Sequence, residues 1–439
     1  MAEHGAVARI YRNLSKLLGG KAGAGLVSLG YLALAARALG PADYGVLVLV
    51  HAYAMTVGGI VEFPGWHAIV RYGSQAEAAG DTPRLARLIA FTGLVETAGG
   101  ALAVAVAALL APTLGARLGW SPTAVAFALP YSFAVLASIR STPAGYLQLR
   151  GRFDLLAAHS LIAPCVRLVG AALAILAHAG LRGFLIAWLT AALAEWAAMW
   201  ALGLHAAGGR LSRRDFAAGL KGVVRENPGL WRFMWGANAD VTVTELAGRA
   251  PPLVVGWVLG AEATGLYALA QRVTSILAVP ALVLGQAAYV ELARMVAAQA
   301  SRHALVGAVR RSIGFAWLAA LPVWIVVALF GRQIAEAVAG PQFAAAGGVM
   351  LWLATARALQ LAAPPITAAL TALGRPGLSM RANLASGLGL LMVLPPMLGW
   401  LALPGAGAHA LLQAAAAVAL LTFGLTAHAR AGSPREIRA

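Results

Sequence analysis

Charged residues are scarce in this sequence of 439 residues. Only 11% are Asp, Glu, Lys or Arg, whereas a soluble domain carries roughly a quarter. A water-soluble fold of this length needs polar groups over its whole surface, so the composition excludes a set of ordinary soluble domains. Because 60% of the residues are hydrophobic, we expect the surplus apolar surface to face lipid.

Cysteine and catalytic motifs are almost absent as well. The single cysteine, Cys165, excludes an intrachain disulfide and a cysteine-based metal site, and its apolar surroundings are typical of a small buried residue. The sequence contains no Walker loop, HExxH motif or nucleophile elbow, and no nucleic-acid-binding signature accompanies its net charge of +17. It therefore predicts neither a cofactor nor a metal, and it favours neither an ATP-driven pump nor a nucleic-acid partner.

Long apolar runs dominate what is present. A membrane-spanning helix needs roughly 20 mostly apolar residues, and twelve runs meet this length. We predict an all-α membrane protein whose spans lie near 17–36, 44–62, 86–111, 123–146, 157–178, 183–206, 234–258, 264–289, 312–331, 344–372, 382–402 and 406–428. The long run 344–372 predicts either a helix broken at Pro364-Pro365 or a tilted one.

The distribution of Lys and Arg predicts the orientation. Loops that follow the odd-numbered spans carry four of these residues, whereas the termini and the other loops carry 24. Positive charge concentrates on the cytoplasmic side of membrane proteins, so we expect both termini in the cytoplasm and an even number of spans. The polar start, with Lys16 and Lys21 before the first apolar run, is not typical of a cleavable signal peptide.

Two similar halves are indicated by an internal repeat. Residues 39–45 (LGPADYG) and 259–265 (LGAEATG) share the pattern LG-x-x-x-x-G, and Gly151-Arg152 and Gly374-Arg375 repeat at nearly the same offset. We predict a six-helix lobe over 1–206, a basic cytoplasmic linker over 207–232 and a second six-helix lobe over 233–439. Six spans per half give parallel halves, a known transporter plan.

Three segments resemble a known family. Residues 35–45 (AARALGPADYG) and 68–73 (AIVRYG) resemble the first-loop region of the polysaccharide exporter and O-antigen flippase family, and residues 259–272 (LGAEATGLYALAQR) resemble its second-half counterpart. The resemblance implies the exporter superfamily that also holds lipid II flippases and multidrug cation antiporters. It further implies two pseudo-symmetric six-helix lobes around a V-shaped cavity, and alternating access of undecaprenyl-pyrophosphate-linked oligosaccharide across the bacterial inner membrane.

One stretch departs from the family pattern. Members often carry an acidic residue in span 7, shortly before the second LG turn. Here that stretch reads Arg249-Ala250-Pro251-Pro252, and the acids Asp240 and Glu245 lie earlier. The resemblance therefore implies no role for an acid at this position.

Five arginines fall inside predicted spans. A charge within the bilayer is costly and usually faces a cavity or a partner, and guanidinium groups can replace the water around a pyrophosphate with bidentate hydrogen bonds. Arg249 and Arg272 are expected on adjacent spans of the second lobe. Structural pairing is the alternative, with Glu245 and Arg249 spaced i, i+4. The substrate-path candidates are Arg249, Arg272, Arg357, Arg140 and Arg167.

Three acids are candidates for ion coupling. Asp240, Glu245 or Glu96 could bind a proton or Na⁺, because burial favours the protonated carboxyl; a buried ion pair is the alternative.

The leading hypothesis is a flippase of lipid-linked oligosaccharide, acting among membrane lipids and with other polysaccharide-assembly proteins. A cationic-drug antiporter is the same-class alternative. A membrane-embedded glycosyltransferase or polymerase is the alternative from a different class. Such an enzyme usually needs a large extramembrane loop, whereas the predicted periplasmic loops are short.

Overall fold

Helices make up nearly all of the chain in the computed structural model. It describes residues 2–61, 65–208, 220, 222–278, 292, 294, 295, 298 and 301–431. The α-helices are α1 Ala2–Val61, α2 Gly65–Ala68, α3 Ser74–Ala78, α4 Thr82–Arg117, α5 Pro122–Tyr131, α6 Ser141–Leu149, α7 Phe153–His159, α8 Ile162–Leu176, α9 Gly180–Ala207, α10 Val223–Glu226, α11 Leu230–Thr274, α12 Arg302–Ala339, α13 Ala346–Gln360, α14 Ala363–Ala372, α15 Pro376–Leu384, α16 Leu394–Leu401 and α17 Leu403–Ala431. Shorter 3₁₀ and π turns join several of them.

The predicted all-α membrane fold is confirmed. Within the described ranges, nine helical stretches are long and apolar enough to cross a membrane, or ten if the bent pair Gly377–Gly389 and Leu394–Leu401 forms one span. Two of the nine, Gly19–Ala78 and Leu246–Leu277, each contain a bend between two predicted spans. Wherever the chain is described, the twelve predicted spans are therefore mostly helical, with short breaks in some of them.

The chain divides into two compact units, residues 1–253 and 254–439. In the first, α8 packs on α9 and on α1, and in the second α13 packs on α12 and α17. Side chains of α12, α14 and α17 build a core in the second unit around Val309, Leu370 and Leu421. Nearly half of the predicted linker, residues 209–219 and 221, lies outside the described residues, and the predicted lobe boundaries stay a prediction.

Glycine makes the same bend in both halves of the sequence. Gly40 has φ 73° and ψ 174° inside α1, and Gly260 has φ 85° and ψ −179° inside α11. A positive φ with an extended ψ is essentially restricted to glycine. The repeated pairs Gly151-Arg152 and Gly374-Arg375 also share a backbone conformation, since Gly151 and Gly374 have φ 65° and 74°. The two repeats found in the sequence are therefore repeats of backbone conformation.

Several predicted spans contain a break, spans 4 and 10 among them. Span 4 is α5, a 3₁₀ segment Ser132–Ser138 and α6, with non-helical residues at Ile139 and Arg140. The long run 344–372 is broken at 361–362, because α13 ends at Gln360 and α14 begins at Ala363 with proline in its first turn. The interruption lies just before Pro364-Pro365, and Ala346–Ala372 is still one stretch long and apolar enough to cross a membrane.

Large apolar side chains cover the outside of the spans. Leu109, Leu318 and Phe423 are 77%, 67% and 72% exposed, as expected of side chains that face lipid. The expectation that Cys165 is buried is wrong. It is exposed and lines an apolar groove of about 550 Å³ between α8 and α9.

The end of the predicted linker docks onto the first unit. Arg87 forms a bidentate pair with Glu226, at 3.0 and 2.8 Å. Arg84, three residues earlier on the same face of α4, donates twice to Asn227 Oδ1 at 3.2 and 3.0 Å. The Tyr72 hydroxyl donates to the Pro228 carbonyl at 3.2 Å. These bonds attach the segment just before α11 to α4 and to Tyr72.

Reversing one charge of this pair should destabilise the first unit. The side chains of Arg87 and Glu226 are only 17% and 31% exposed, so we expect Arg87→Glu to cost about 1–3 kcal/mol, the range for hydrogen bonds to charged groups. Thermal unfolding in detergent measures this as a lower midpoint. The double variant Arg87→Glu/Glu226→Arg should recover most of the loss, and no recovery would contradict a direct pair.

Candidate functional site

Arg167 lies on α8 among polar and aromatic side chains of the first unit. Its Nη1 donates to the Tyr31 hydroxyl at 3.2 Å, and its Nη2 lies 3.1 Å from His51 Nε2. Both partners are on α1, on either side of the bend at Gly40. A guanidinium can only donate, so His51 Nε2 accepts this hydrogen bond.

The hydrogen bonds continue from His51 into span 4. His51 Nδ1 lies 2.9 Å from the hydroxyl of Tyr131, which is 1% exposed. Because Nε2 accepts from Arg167, a neutral His51 carries its proton on Nδ1 and donates it to Tyr131. A doubly protonated ring could not accept from the guanidinium, so the geometry favours neutral His51 beside a cationic Arg167.

Two aromatic rings border the Arg167 guanidinium. Its Cζ lies 5.6 Å from the centre of the Tyr31 ring and 5.5 Å from that of Trp188. The two rings meet edge to face, with centroids 5.2 Å apart. Cation–π contacts of this kind hold a guanidinium in place without neutralising its charge.

The charge of Arg167 is not balanced by a carboxylate among the described residues. The ion pairs found there involve other arginines, and Arg167 Nε is buried without a hydrogen-bond partner. A half-buried cation within the membrane usually serves an anion or a transport path, and a buried donor left unsatisfied is costly. This cluster, which we call the Arg167 cluster, comprises Tyr31, His51, Tyr131, Arg167 and Trp188.

Arg249 also contacts α1, one helical turn after His51. Its Nη1 donates to the Met55 carbonyl at 2.6 Å, and Met55 is four residues after His51, a rise of about 6 Å. Arg249 thus contacts α1 within the unit of residues 1–253, whereas the sequence placed it beside Arg272 in the second lobe. Two of the five candidate arginines, Arg167 of α8 and Arg249 of α11, therefore contact neighbouring turns of α1.

Arg140 has a carboxylate partner. It occupies the break in span 4 and forms an ion pair with Glu195 of α9, while His159 Nε2 contacts the Glu195 carbonyl at 2.9 Å. The sequence named structural pairing for Glu245 with Arg249, whereas in the structure Arg140 is the candidate arginine with a described carboxylate partner. Its charge is therefore balanced, which makes Arg140 a weaker candidate for anion binding than Arg167.

Glu96 caps the helix that follows the same break. Its carboxylate accepts from the Ser141 amide and from the Thr142 amide at 2.8 Å, and the residue is 2% exposed. These are the amides of the first two residues of α6, which have no partner within their own helix. Glu96 therefore satisfies backbone donors that lipid could not.

Two candidate arginines belong to the second unit. Arg357 on α13 donates to Gln360 Oε1 at 3.3 Å. Arg272, in the last turn of α11, is half-buried, and its side chain forms no hydrogen bond or ion pair within the described part of the chain. The side chains of the acids Asp240 and Glu245 lie outside the described residues.

Sequence reasoning missed the partners of Arg167. His51 is an ionisable residue in the middle of predicted span 2, and this alone could have marked it as a candidate. Tyr31, Tyr131 and Trp188 carried no such signal, because aromatic residues are frequent in membrane helices.

The fold is that of known membrane transporters. A multidrug resistance MATE family transporter of the MOP superfamily, in an inward-facing conformation, matches with a TM-score of 0.67 and 14% identity, over 98% of this chain and 100% of that one. The lipid II flippase MurJ, in an inward closed conformation, matches with a TM-score of 0.70 and 11% identity, over 93% of this chain and 86% of that one.

Sequence comparison identifies the family as well as the fold. The inner membrane protein YghQ of Escherichia coli (strain K12) is 28% identical over 291 residues, which are 66% of this chain and 82% of that protein. The sequence profile described as "Polysaccharide biosynthesis protein" matches residues 34–347, more than two thirds of the chain. The matched region contains both LG turns and every residue of the Arg167 cluster except Tyr31. A chain with this match, this fold and these membrane spans belongs to the polysaccharide biosynthesis protein family.

Proposed function

We propose that the protein is a flippase that moves undecaprenyl-pyrophosphate-linked oligosaccharide across the bacterial inner membrane by alternating access, for the synthesis of a surface polysaccharide. Membership of the polysaccharide biosynthesis family supports the pathway, and the transporter fold supports movement across the membrane rather than bond-making chemistry. A homologue called an inner membrane protein supports the location, and the 24-to-4 distribution of Lys and Arg supports cytoplasmic termini.

One observation carries the choice of an anionic cargo. The Arg167 guanidinium lies within the membrane-spanning part of the first unit without a carboxylate partner among the described residues. A pyrophosphate must shed water to cross a medium of low dielectric constant, at a cost of several kcal/mol or more. Arg167 supplies a fixed positive charge, and its aromatic neighbours hold it in position. Arg249 contacts α1 one turn away from His51.

The other candidate arginines and acids have separate proposed roles. Arg272 and Arg357 are proposed to belong to the substrate path, whereas Arg140 is proposed to hold the break in span 4 through Glu195. For coupling to a proton or Na⁺ gradient, Asp240, Glu245 and Glu96 remain the candidates. Other polysaccharide-assembly proteins are expected to deliver and remove the cargo.

Complementation of a strain that lacks the gene tests this function. We expect the deletion to stop one surface polysaccharide and to leave its lipid-linked precursor in the cytoplasmic leaflet, because the precursor is made but not moved. Gel analysis of the polysaccharide and enzymatic labelling of the precursor from outside the cell measure both effects. Unchanged polysaccharide, with the precursor still reaching the outer leaflet, would rule the proposal out.

A multidrug cation antiporter is the second candidate, and the MATE-like fold alone would permit it. A cationic drug would be repelled by an Arg167 whose charge is not balanced, so the charge of the cluster favours the anionic cargo. Overexpression should therefore leave the inhibitory concentrations of cationic dyes and drugs unchanged. A severalfold rise that is lost with a substitution in the Arg167 cluster would favour the antiporter instead.

A further inference from the structure

Residues 223–235 form a segment with two different faces. One face is buried, with Val223 and Met234 each 1% exposed and Asn227 and Leu230 fully covered. This face packs on Ala68, Tyr72 and Leu88 of the first unit. Together with the hydrogen bonds from Arg84 and Arg87, the packing fixes the direction in which the other face points.

The other face exposes tryptophan and arginine. Trp231 and Trp235 are 38% and 58% exposed, and Arg225 and Arg232 are exposed as well. Arg71 joins them from the preceding helices, since its Cζ lies 4.7 Å from the centre of the Phe233 ring. We call this surface, made of Arg71, Arg225, Trp231, Arg232 and Trp235, the basic aromatic edge.

The arginines of this edge are not neutralised within the described residues. Glu226, the acid nearest to Arg225 in sequence, is held by Arg87. Neither Arg225 nor Arg232 forms a side-chain hydrogen bond or ion pair with any part of the chain that the structure describes, and the Arg71 guanidinium lies over the Tyr72 and Phe233 rings. The edge therefore carries three positive charges without carboxylate partners in that part of the chain.

The position of the edge suits the surface of a bilayer. It lies at the predicted start of span 7, where the chain passes from polar to apolar residues. Tryptophan side chains concentrate at the level of the lipid headgroups. Each Lys or Arg near an anionic lipid surface strengthens binding roughly fivefold. Rings at headgroup depth beside unpaired guanidinium groups match lipids whose phosphate carries a net negative charge.

We propose that the basic aromatic edge binds the headgroups of anionic phospholipids, with Trp231 and Trp235 at headgroup depth and Arg71, Arg225 and Arg232 on the phosphates. This site is separate from the Arg167 cluster and does not depend on the transported cargo. Its occupant is a bulk membrane lipid such as phosphatidylglycerol, which anchors the start of α11 at the membrane surface.

Lipid selectivity of the full-length protein tests the proposal. The purified protein is placed in phosphatidylcholine vesicles that contain spin-labelled phosphatidylglycerol or spin-labelled phosphatidylcholine, and the motionally restricted fraction of each label is measured. We expect the protein to prefer phosphatidylglycerol, and Arg225→Gln/Arg232→Gln to reduce the preference severalfold. Brominated phosphatidylglycerol should quench the fluorescence of the wild type more than that of the variant Trp231→Leu/Trp235→Leu.

Arg152→Gln is the matched control. Arg152 is an exposed arginine on the same predicted side of the membrane, but Asp154 already pairs with it at 3.1 Å and raises its pKa. Its removal should leave the preference unchanged. If the double variant does not fold, the lipid preference is measured for the single variants Arg225→Gln and Arg232→Gln. The salt dependence of the wild-type preference is a further test, because added salt should weaken a headgroup contact at the surface. Equal restriction of both lipids by the wild type, or equal effects of Arg152→Gln and Arg225→Gln, would overturn the proposal.

Discussion

Replacing Arg167 with alanine is expected to weaken binding of a pyrophosphate-bearing lipid about ten- to a hundredfold, the range for hydrogen bonds to charged groups. The guanidinium is oriented in advance by Tyr31 and His51 and by the Tyr31 and Trp188 rings, so little entropy is lost when it meets the anion. Microscale thermophoresis with a labelled polyprenyl pyrophosphate in detergent measures the change.

Arg167→Lys separates charge from geometry. Lysine keeps the positive charge but loses the planar fork that binds phosphate with two hydrogen bonds, so we expect its affinity to lie between those of the wild type and Arg167→Ala. Arg332→Ala is the control, because Arg332 is exposed and already paired with Glu336 at 2.8 Å. If Arg167→Ala binds the pyrophosphate as tightly as Arg332→Ala, the Arg167 cluster is not the anion site.

Replacing Glu96 with alanine is expected to have the largest effect on stability. It would leave the amides of Ser141 and Thr142 without an acceptor at a buried break, and each such group costs about 1–3 kcal/mol in proteins and more where water is excluded. We therefore expect a loss of about 2–6 kcal/mol. The apparent midpoint of thermal unfolding in detergent, followed by fluorescence or light scattering, measures it.

Thr97→Ala is the matched control for Glu96. Thr97 is the next residue on α4 and only returns a hydrogen bond to Gly93 of its own helix, at 2.7 Å, so its loss should change the midpoint little. If Glu96→Ala does not accumulate, Glu96→Gln serves, because its amide offers one acceptor where the carboxylate offers two. A midpoint for Glu96→Gln equal to that of Thr97→Ala would contradict the capping role.

Glu96→Gln also separates capping from ion coupling. If Glu96 only caps α6, the variant loses stability but keeps the pH dependence of transport at permissive temperature. If Glu96 also carries the coupling proton, the variant loses that pH dependence, since glutamine cannot titrate. Transport driven by an imposed pH gradient therefore decides whether Glu96 remains an ion-coupling candidate.

The spans and the two glycine bends could be predicted because they depend on local sequence. Long apolar runs identify membrane helices without any knowledge of their neighbours. The pattern around Gly40 returns around Gly260, and the same positive φ follows in both places. Pro364 and Pro365 likewise marked a break, because proline is tolerated in the first turn of a helix and not in its interior.

The contacts within the candidate site could not be predicted, because they depend on how helices are rotated and packed. Arg140 and Arg167 both lie in apolar runs, yet only Arg140 meets a carboxylate, that of Glu195, 55 residues away. Arg167 finds its partner His51 across 116 residues. The break in span 4 falls between Pro130 and Pro143 and is stabilised by Glu96 from another helix, which no local pattern reveals.

Flipping by the purified protein in liposomes tests the central claim most directly. A fluorescent polyprenyl-pyrophosphate-linked oligosaccharide is placed in both leaflets, and a membrane-impermeant reductant bleaches the label in the outer leaflet. With the wild type and an imposed ion gradient, we predict that the bleached fraction rises well beyond the outer-leaflet share, whereas Arg167→Ala stays close to protein-free liposomes. Bleaching by the wild type that stops at the outer-leaflet share, with correctly inserted and folded protein, would contradict the assignment as a flippase.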